Sequence, residues 1–105
     1  MNTPTPNLQM IKFFAFLRAC GLDTYGMNTS IGDTAGGRTI MNAQVGEQSK
    51  TFKRAILKSG WQQIESLSLG EGERELSFTH PDIEGGISLH EFKRDGRWNK
   101  IYLSN

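Results

Sequence analysis

The residues best suited to chemistry lie near the C-terminal end of the sequence, where aromatic and basic side chains alternate. The aromatic members are Phe92, Trp98 and Tyr102, with His90 beside them, and the basic members are Lys93, Arg94, Arg97 and Lys100. Aromatic rings stack on unpaired bases while cations contact phosphates, so this combination predicts a nucleic-acid surface. Trp and Tyr are also frequent anchors of protein interfaces, so a protein partner remains an alternative for the same residues.

This segment is predicted to form a β-hairpin. Ile87–Lys93 and Arg97–Leu103 flank Arg94-Asp95-Gly96, a strong turn signal. With a three-residue loop the facing pairs are Lys93 with Arg97, Phe92 with Trp98, His90 with Lys100, Leu89 with Ile101, Ser88 with Tyr102, and Ile87 with Leu103. This register separates aliphatic side chains on one face from aromatic and basic ones on the other. The aromatic face then forms a second core, a stacking surface, or a contact between two copies of the chain.

Charge is distributed unevenly along the sequence. The 105 residues contain 12 Lys and Arg against 11 Asp and Glu, a net charge of +1. Residues 61–91 carry seven carboxylates and one arginine, whereas residues 92–105 carry four cations and one aspartate. Residues 47–60 form a second basic block that includes Lys53 and Arg54. A net charge this small argues against tight duplex binding, which needs many phosphate contacts, and favours a local basic patch.

The groups that could support catalysis or metal binding are few. His80 and His90 are the two histidines, and both are predicted to lie on neighbouring strands, so an acid–base pair is a third hypothesis. We expect no metal site, because a structural site needs further ligands at suitable spacing. Cys20 is the one cysteine and lies in an apolar run, which predicts a buried, inert thiol. No catalytic residue and no cofactor is assigned from these residues.

Hydrophobic spacing and turn residues predict the remaining elements. Helices are expected over residues 6–20 and 49–59, the second ended by Gly60 with Trp61 folded back onto it. Strands are expected over residues 38–45, 62–69 and 75–80, with a turn at Gly85-Gly86 before the hairpin. Residues 23–37 read as a flexible Gly-rich loop. The predicted fold is one α+β domain over residues 1–105, with two helices packed on one face of a three- to five-stranded antiparallel sheet.

Together these features predict a small non-enzymatic binding or regulatory module. It would contact nucleic acid, or a protein that processes nucleic acid, through the basic and aromatic hairpin. The alternative is a protein-binding regulator or inhibitor, and this alternative includes a homodimer formed through the same aromatic face. A small hydrolase using His80 or His90 is the third hypothesis. The apolar stretch of residues 10–20 is interrupted by Lys12 and Arg18 and is too short for a membrane span, so we expect a cytoplasmic protein without membrane contact.

Overall fold

The computed structural model describes residues 8–33, 36–37 and 39–104 of the chain. Within these residues the helices are α1 (Leu8–Ala19) and α2 (Ser49–Lys58), and short 3-10 helices occupy Gly46–Gln48 and Gly96–Trp98. The strands are β1 (Thr29–Asp33), β2 (Thr39–Gln44), β3 (Gln62–Gly70), β4 (Glu73–His80), β5 (Ile83–Phe92) and β6 (Lys100–Ser104). Both predicted helices are therefore present. Residues 6, 7 and 38, which the sequence placed in helix or strand, lie outside the described residues.

The six strands form one antiparallel sheet in the order β1-β2-β6-β5-β4-β3. The α+β class is confirmed, but the prediction of three to five strands is wrong. The additional strand is β1, because Thr29–Asp33 pairs with β2 inside the stretch that was predicted to be a loop over residues 23–37. Its β-branched Thr29 and Ile31 suit a strand. The surrounding Gly, Asn and Ser residues obscured that signal.

One hydrophobic core joins the two helices to the sheet. Its helical members are spaced one turn apart, Phe13 with Leu17 on α1 and Phe52 with Ile56 on α2, so each pair lies on one side of its helix. The strand members are Ala43, Leu76, Phe78, Ile87, Leu89 and Ile101, all almost fully buried. Pairing across the sheet aligns Ala43, Ile101, Leu89 and Leu76 in one row. Directly paired residues project to the same face, so this face of the sheet carries the core.

The C-terminal end of α2 follows the sequence prediction. Gly60 takes a positive φ of 97°, and the Trp61 N–H donates to the Ile56 carbonyl at 3.0 Å. This is the left-handed ending that glycine permits, with the next residue bonded back to the last turn. The Trp61 side chain is buried in the core as a result.

The predicted turn at Gly85-Gly86 is wrong, because β5 continues through both glycines. The chain turns earlier, at Pro81-Asp82, where the Asp82 N–H donates to His80 Nδ1 at 3.0 Å. The register between β4 and β5 shifts between Phe78 and His80, and Gly85 takes a positive φ of 95° there. The glycines therefore accommodate an irregularity within a strand pair rather than reversing the chain.

The opposite face of the sheet, called here the open face, is polar and half-buried. By register it carries Asn42, Tyr102, Ser88 and Ser77 in one row and Gln44, Lys100, His90 and Glu75 in the next. Ile40 on β2 and Leu69 on β3 line the same cavity of about 410 Å³, although three strands separate β2 from β3. The open face is therefore concave.

We predict that the same substitution lowers stability by very different amounts at two leucines. Leu89→Ala removes a fully buried side chain from the core row and should lower the free energy of unfolding by about 2–5 kcal/mol. Leu67→Ala on β3, where the side chain is 54% exposed, should lower it by less than about 1 kcal/mol. Chemical denaturation at low protein concentration measures both values, and equal losses would contradict this placement of the core.

Candidate functional site

The β5–β6 hairpin has the predicted strand register but a longer connection. The pairs Ile87–Leu103, Ser88–Tyr102, Leu89–Ile101 and His90–Lys100 are confirmed. The three-residue loop is wrong, because β5 ends at Phe92 and β6 begins at Lys100. The intervening residues contain the 3-10 helix Gly96–Trp98, so neither Phe92 with Trp98 nor Lys93 with Arg97 forms a strand pair.

Asn99 is the reason that the connection lengthens. Its buried side-chain Nδ2 donates to Ser49 Oγ at 2.8 Å, and its Oδ1 accepts the Phe92 N–H at 2.7 Å. Its carbonyl accepts the N–H groups of Val45 and Gly46. These four bonds fix the end of the hairpin against the start of α2. Sequence analysis missed Asn99, although an asparagine is unusual within a strand and was the available signal.

Asp95 determines the position of the Trp98 ring. Its Oδ2 accepts the indole Nε1–H of Trp98 at 2.9 Å and lies 2.6 Å from Arg97 Nε. The Arg97 guanidinium carbon lies 5.0 Å from the centre of the indole ring, within range of a cation–π contact. Trp98 is nevertheless 46% exposed. The ring is thus fixed by polar contacts at its edge while a large part of its surface faces solvent.

The other aromatic residues of the hairpin lie on the open face. His90 and Phe92 stack with ring centres 4.5 Å apart and planes inclined by 13°. Tyr102 projects from the same face, two residues after Lys100, which pairs with His90. The side chains of His90, Phe92 and Tyr102 are all half-buried. His90 Nε2 is 3.9 Å from Glu73 Oε2, too far for a hydrogen bond, and has no other hydrogen-bond partner among the described residues. No aromatic side chain of the hairpin belongs to the buried core.

The basic residues named from the sequence divide into two groups. Lys93 and Arg94 line a cleft of about 430 Å³ between the hairpin end and the start of α2. The other four do not line it: Arg97, Lys100, Lys53 and Arg54. Lys50 and Arg74 line the same cleft but were not selected from the sequence. Lys50 belongs to the basic block of residues 47–60, so its charge was the available signal. Its position in the first turn of α2, one residue after Ser49, brings it to the hairpin.

Two of these cations, Arg74 and Arg94, are paired with carboxylates. Arg74 Nε lies 2.8 Å from Glu91 Oε1, and Arg94 Nη2 lies 3.3 Å from Glu71 Oε1. The second pair is almost fully exposed and therefore contributes little to stability. An exposed pair of this kind can exchange its carboxylate for another anion at small cost. Arg94 is consequently available to a ligand, while Arg74 is the more firmly paired of the two.

The structure does not bring the two histidines together. His80 lies at the turn between β4 and β5, where Nδ1 accepts a hydrogen bond from Asp82 and Nε2 faces the Ser59 carbonyl at 3.2 Å. The Asp82 bond places the ring proton on Nε2, which then donates to Ser59. His90 pairs with Glu75 near the other end of β4. An acid–base pair of His80 and His90 is therefore not assembled.

Cys20 has no role at this surface. Cys20 is half-buried rather than buried as predicted; it packs against the hydrophobic core, and this partial burial raises the pKa of its thiol above the ordinary value. The thiol is thus protonated at neutral pH, in keeping with an inert residue. The described residues contain no group of three or more His, Cys, Asp and Glu side chains that could hold a metal ion. No helix among them is long and apolar enough to cross a membrane.

We predict that Asn99→Ala destabilises the protein by about 2–4 kcal/mol, since it leaves the buried Ser49 hydroxyl and the Phe92 N–H without partners. Asn42→Ala is the matched control, because Asn42 donates to the Ser30 hydroxyl in an exposed hydrogen bond, and its loss should cost about 1 kcal/mol or less. Urea denaturation measures both. A loss at residue 99 no larger than that at residue 42 would show that Asn99 does not fix the hairpin.

The hairpin end therefore combines an exposed, fixed indole with a stacked ring pair and a basic cleft. We call Phe92, Trp98, Tyr102, His90, Lys93, Arg94, Arg97 and Lys100 together the hairpin surface. Its arrangement depends on Asn99 and Asp95, two short polar residues within the connection. Comparison with protein-family models, with curated proteins and with solved structures found no match.

Proposed function

We propose that this chain is a non-enzymatic module that binds single-stranded nucleic acid through the hairpin surface. The observation that carries the proposal is the Trp98 ring, which is exposed yet fixed by its hydrogen bond to Asp95 and by the adjacent Arg97. A ring that is already ordered loses little conformational entropy when a base stacks on it. Stacking of one base on an aromatic side chain contributes roughly 1–3 kcal/mol.

The cations of the hairpin surface supply the phosphate contacts. Lys93 and Arg94 border the cleft beside Phe92, and the cleft also receives Lys50 from α2. Arg97 lies against Trp98, so a phosphate next to a stacked base would meet its guanidinium. Few cations are involved and carboxylates lie among them, which limits the attraction for a duplex. Single strands suit this surface better because stacking supplements the charge.

A second candidate is a protein partner on the same surface, including a second copy of the chain. The supporting observation is the alternation of charge, with Glu71, Glu91 and Asp95 each paired to an arginine. Mixed charge around an exposed Trp is typical of the polar rim of a protein interface. Such a partner would include a protein that processes nucleic acid. A third candidate, a hydrolase, would depend on His80 or His90 acting singly.

The lone cysteine supports a cytoplasmic location for this activity. Cys20 is free, and a chain with one cysteine has no internal disulfide to form. Proteins without disulfides are typical of reducing compartments such as the cytoplasm, where nucleic acids are also present.

We predict that Trp98→Ala weakens binding of a fluorescent single-stranded oligonucleotide about tenfold, the loss equivalent to one stacked base. Tyr25→Ala is the matched control, because Tyr25 is 95% exposed but lies outside the hairpin surface, and it should change the dissociation constant less than about twofold. Fluorescence anisotropy at low salt measures both, and raising the salt should weaken binding by the wild type.

Two outcomes would contradict this proposal. Absence of binding to any single-stranded DNA or RNA at low salt would exclude nucleic acid as the ligand. Equal effects of the Trp98 and Tyr25 substitutions on the dissociation constant would show that the hairpin surface does not contact the oligonucleotide. If oligonucleotides do not bind and Trp98→Ala instead abolishes self-association in light scattering, the second candidate replaces the first.

A further inference from the structure

β3 forms one edge of the sheet and is exposed along its whole length. All nine residues from Gln62 to Gly70 are exposed, and β4 is the one strand that pairs with them among the described residues. An edge strand presents a row of backbone N–H and C=O groups that lack a strand partner. A long row of this kind is a template for another strand. β3 is therefore the part of the sheet best prepared to pair with a further chain.

The side chains of β3 explain why the core stops at β4. Ser66 pairs with Leu76 and Gln63 pairs with Phe78, so the core face of β3 carries polar residues where β4 carries buried apolar ones. The aliphatic residues of β3 lie elsewhere: Leu67 is on the open face opposite Glu75, and Ile64 and Leu69 lie at irregularities in the register. Each of the three is more than two-fifths exposed. None of them stabilises the fold by burial in the core.

The two edge strands, β1 and β3, differ in how well they are protected against pairing with another chain. β1 has five residues and includes Gly32 and a charged Asp33. β3 has nine residues, a single charged residue, Glu65, and three exposed aliphatic side chains. Short length and charge protect an edge against association, whereas length and exposed aliphatic residues favour it. Length and charge thus protect β1 more than β3, where the protection that remains is the two register irregularities at Ile64 and Leu69.

We propose that β3 is a homodimer interface, in which β3 pairs antiparallel with β3 of a second copy about a two-fold axis. A two-fold contact uses the same patch on both copies and closes at two, so it does not propagate into a fibre. Pairing centred on Ser66 places Glu65 opposite Leu67 of the second copy. No like charges then face each other, because Glu65 is the one charged residue of the strand.

The extent of β3 indicates a reversible dimer rather than a permanent one. Two register irregularities interrupt β3, so its regular part is residues 65–68, about 13 Å long, and the ladder between the two copies is short. A single strand pair, with three aliphatic side chains on each copy, is smaller than the interfaces of obligate dimers. The dimer is consequently concentration-dependent.

Antiparallel pairing also determines how the two open faces are oriented. The two-fold axis of such a pair runs perpendicular to the sheet, so both open faces lie on the same side of the extended sheet. The hairpins of the two copies are then presented in the same direction. The homodimer interface does not depend on the proposed function, since it uses no residue of the hairpin surface.

Light scattering over a range of concentrations tests the homodimer. The mass should rise from 11.8 kDa towards twice that value as concentration increases. Leu67→Asp places a new carboxylate opposite Glu65 of the second copy and should keep the protein monomeric at concentrations where the wild type is dimeric. Leu57→Asp is the matched control, because Leu57 is also an exposed leucine but lies on α2, and it should leave the dimer intact.

Hydrogen exchange of the unmodified protein provides a test that does not require a variant to fold. Amides of β3 should become more protected as concentration rises, while those of β1 should not change. A monomer at every concentration would overturn the proposal, as would a dimer that Leu67→Asp leaves intact. Concentration-independent protection of the outward-facing β3 amides, those not bonded to β4, would also overturn it, because another segment of the same chain would then cover the edge.

Discussion

The structure depends on the burial of one row of side chains across the sheet. Ala43, Ile101, Leu89 and Leu76 face each other on β2, β6, β5 and β4, and each is almost fully excluded from water. A slip of one residue in any of these pairings would turn that strand's apolar residues to the open face. The row therefore fixes the register of the four central strands. It also determines that His90, Lys100 and Tyr102 lie on the opposite face.

The same row accounts for the location of both surfaces for which we propose a binding role. On the β3 side it ends at Ser66, which cannot extend the core, and the strand beyond β4 is exposed. At the hairpin end, hydrogen bonds replace hydrophobic contacts. Asn99 bonds to Ser49 and to Phe92, and Asp95 bonds to Trp98. Hydrophobic burial thus places the strands, and buried or directed hydrogen bonds place the side chains of the hairpin surface. The two kinds of interaction act in adjacent parts of one hairpin.

The sequence predicted the parts of the molecule that follow a single periodicity. Alternation in Ile87–Lys93 and Arg97–Leu103 was sufficient to obtain the β5–β6 register, and Gly60 with Trp61 located the end of α2. The parts it could not predict depend on tertiary contacts. The longer hairpin connection follows from the bonds of Asn99 to distant residues, and β1 follows from pairing with β2. The residue types of the candidate site could be identified from the sequence. That Lys53 and Arg54 lie away from the cleft could be seen only in the folded structure.

We propose that a single-stranded nucleic acid contacts the exposed Trp98 and its neighbours. Titration of the isotope-labelled protein with a short oligonucleotide, followed by NMR, tests it most directly, because the indole N–H signals of Trp98 and the buried Trp61 are separate reporters. We predict that the Trp98 indole signal and the backbone amides from Phe92 to Lys100 shift on titration, while the Trp61 indole signal does not. An unchanged Trp98 signal at saturating oligonucleotide would show that nucleic acid does not contact the hairpin surface.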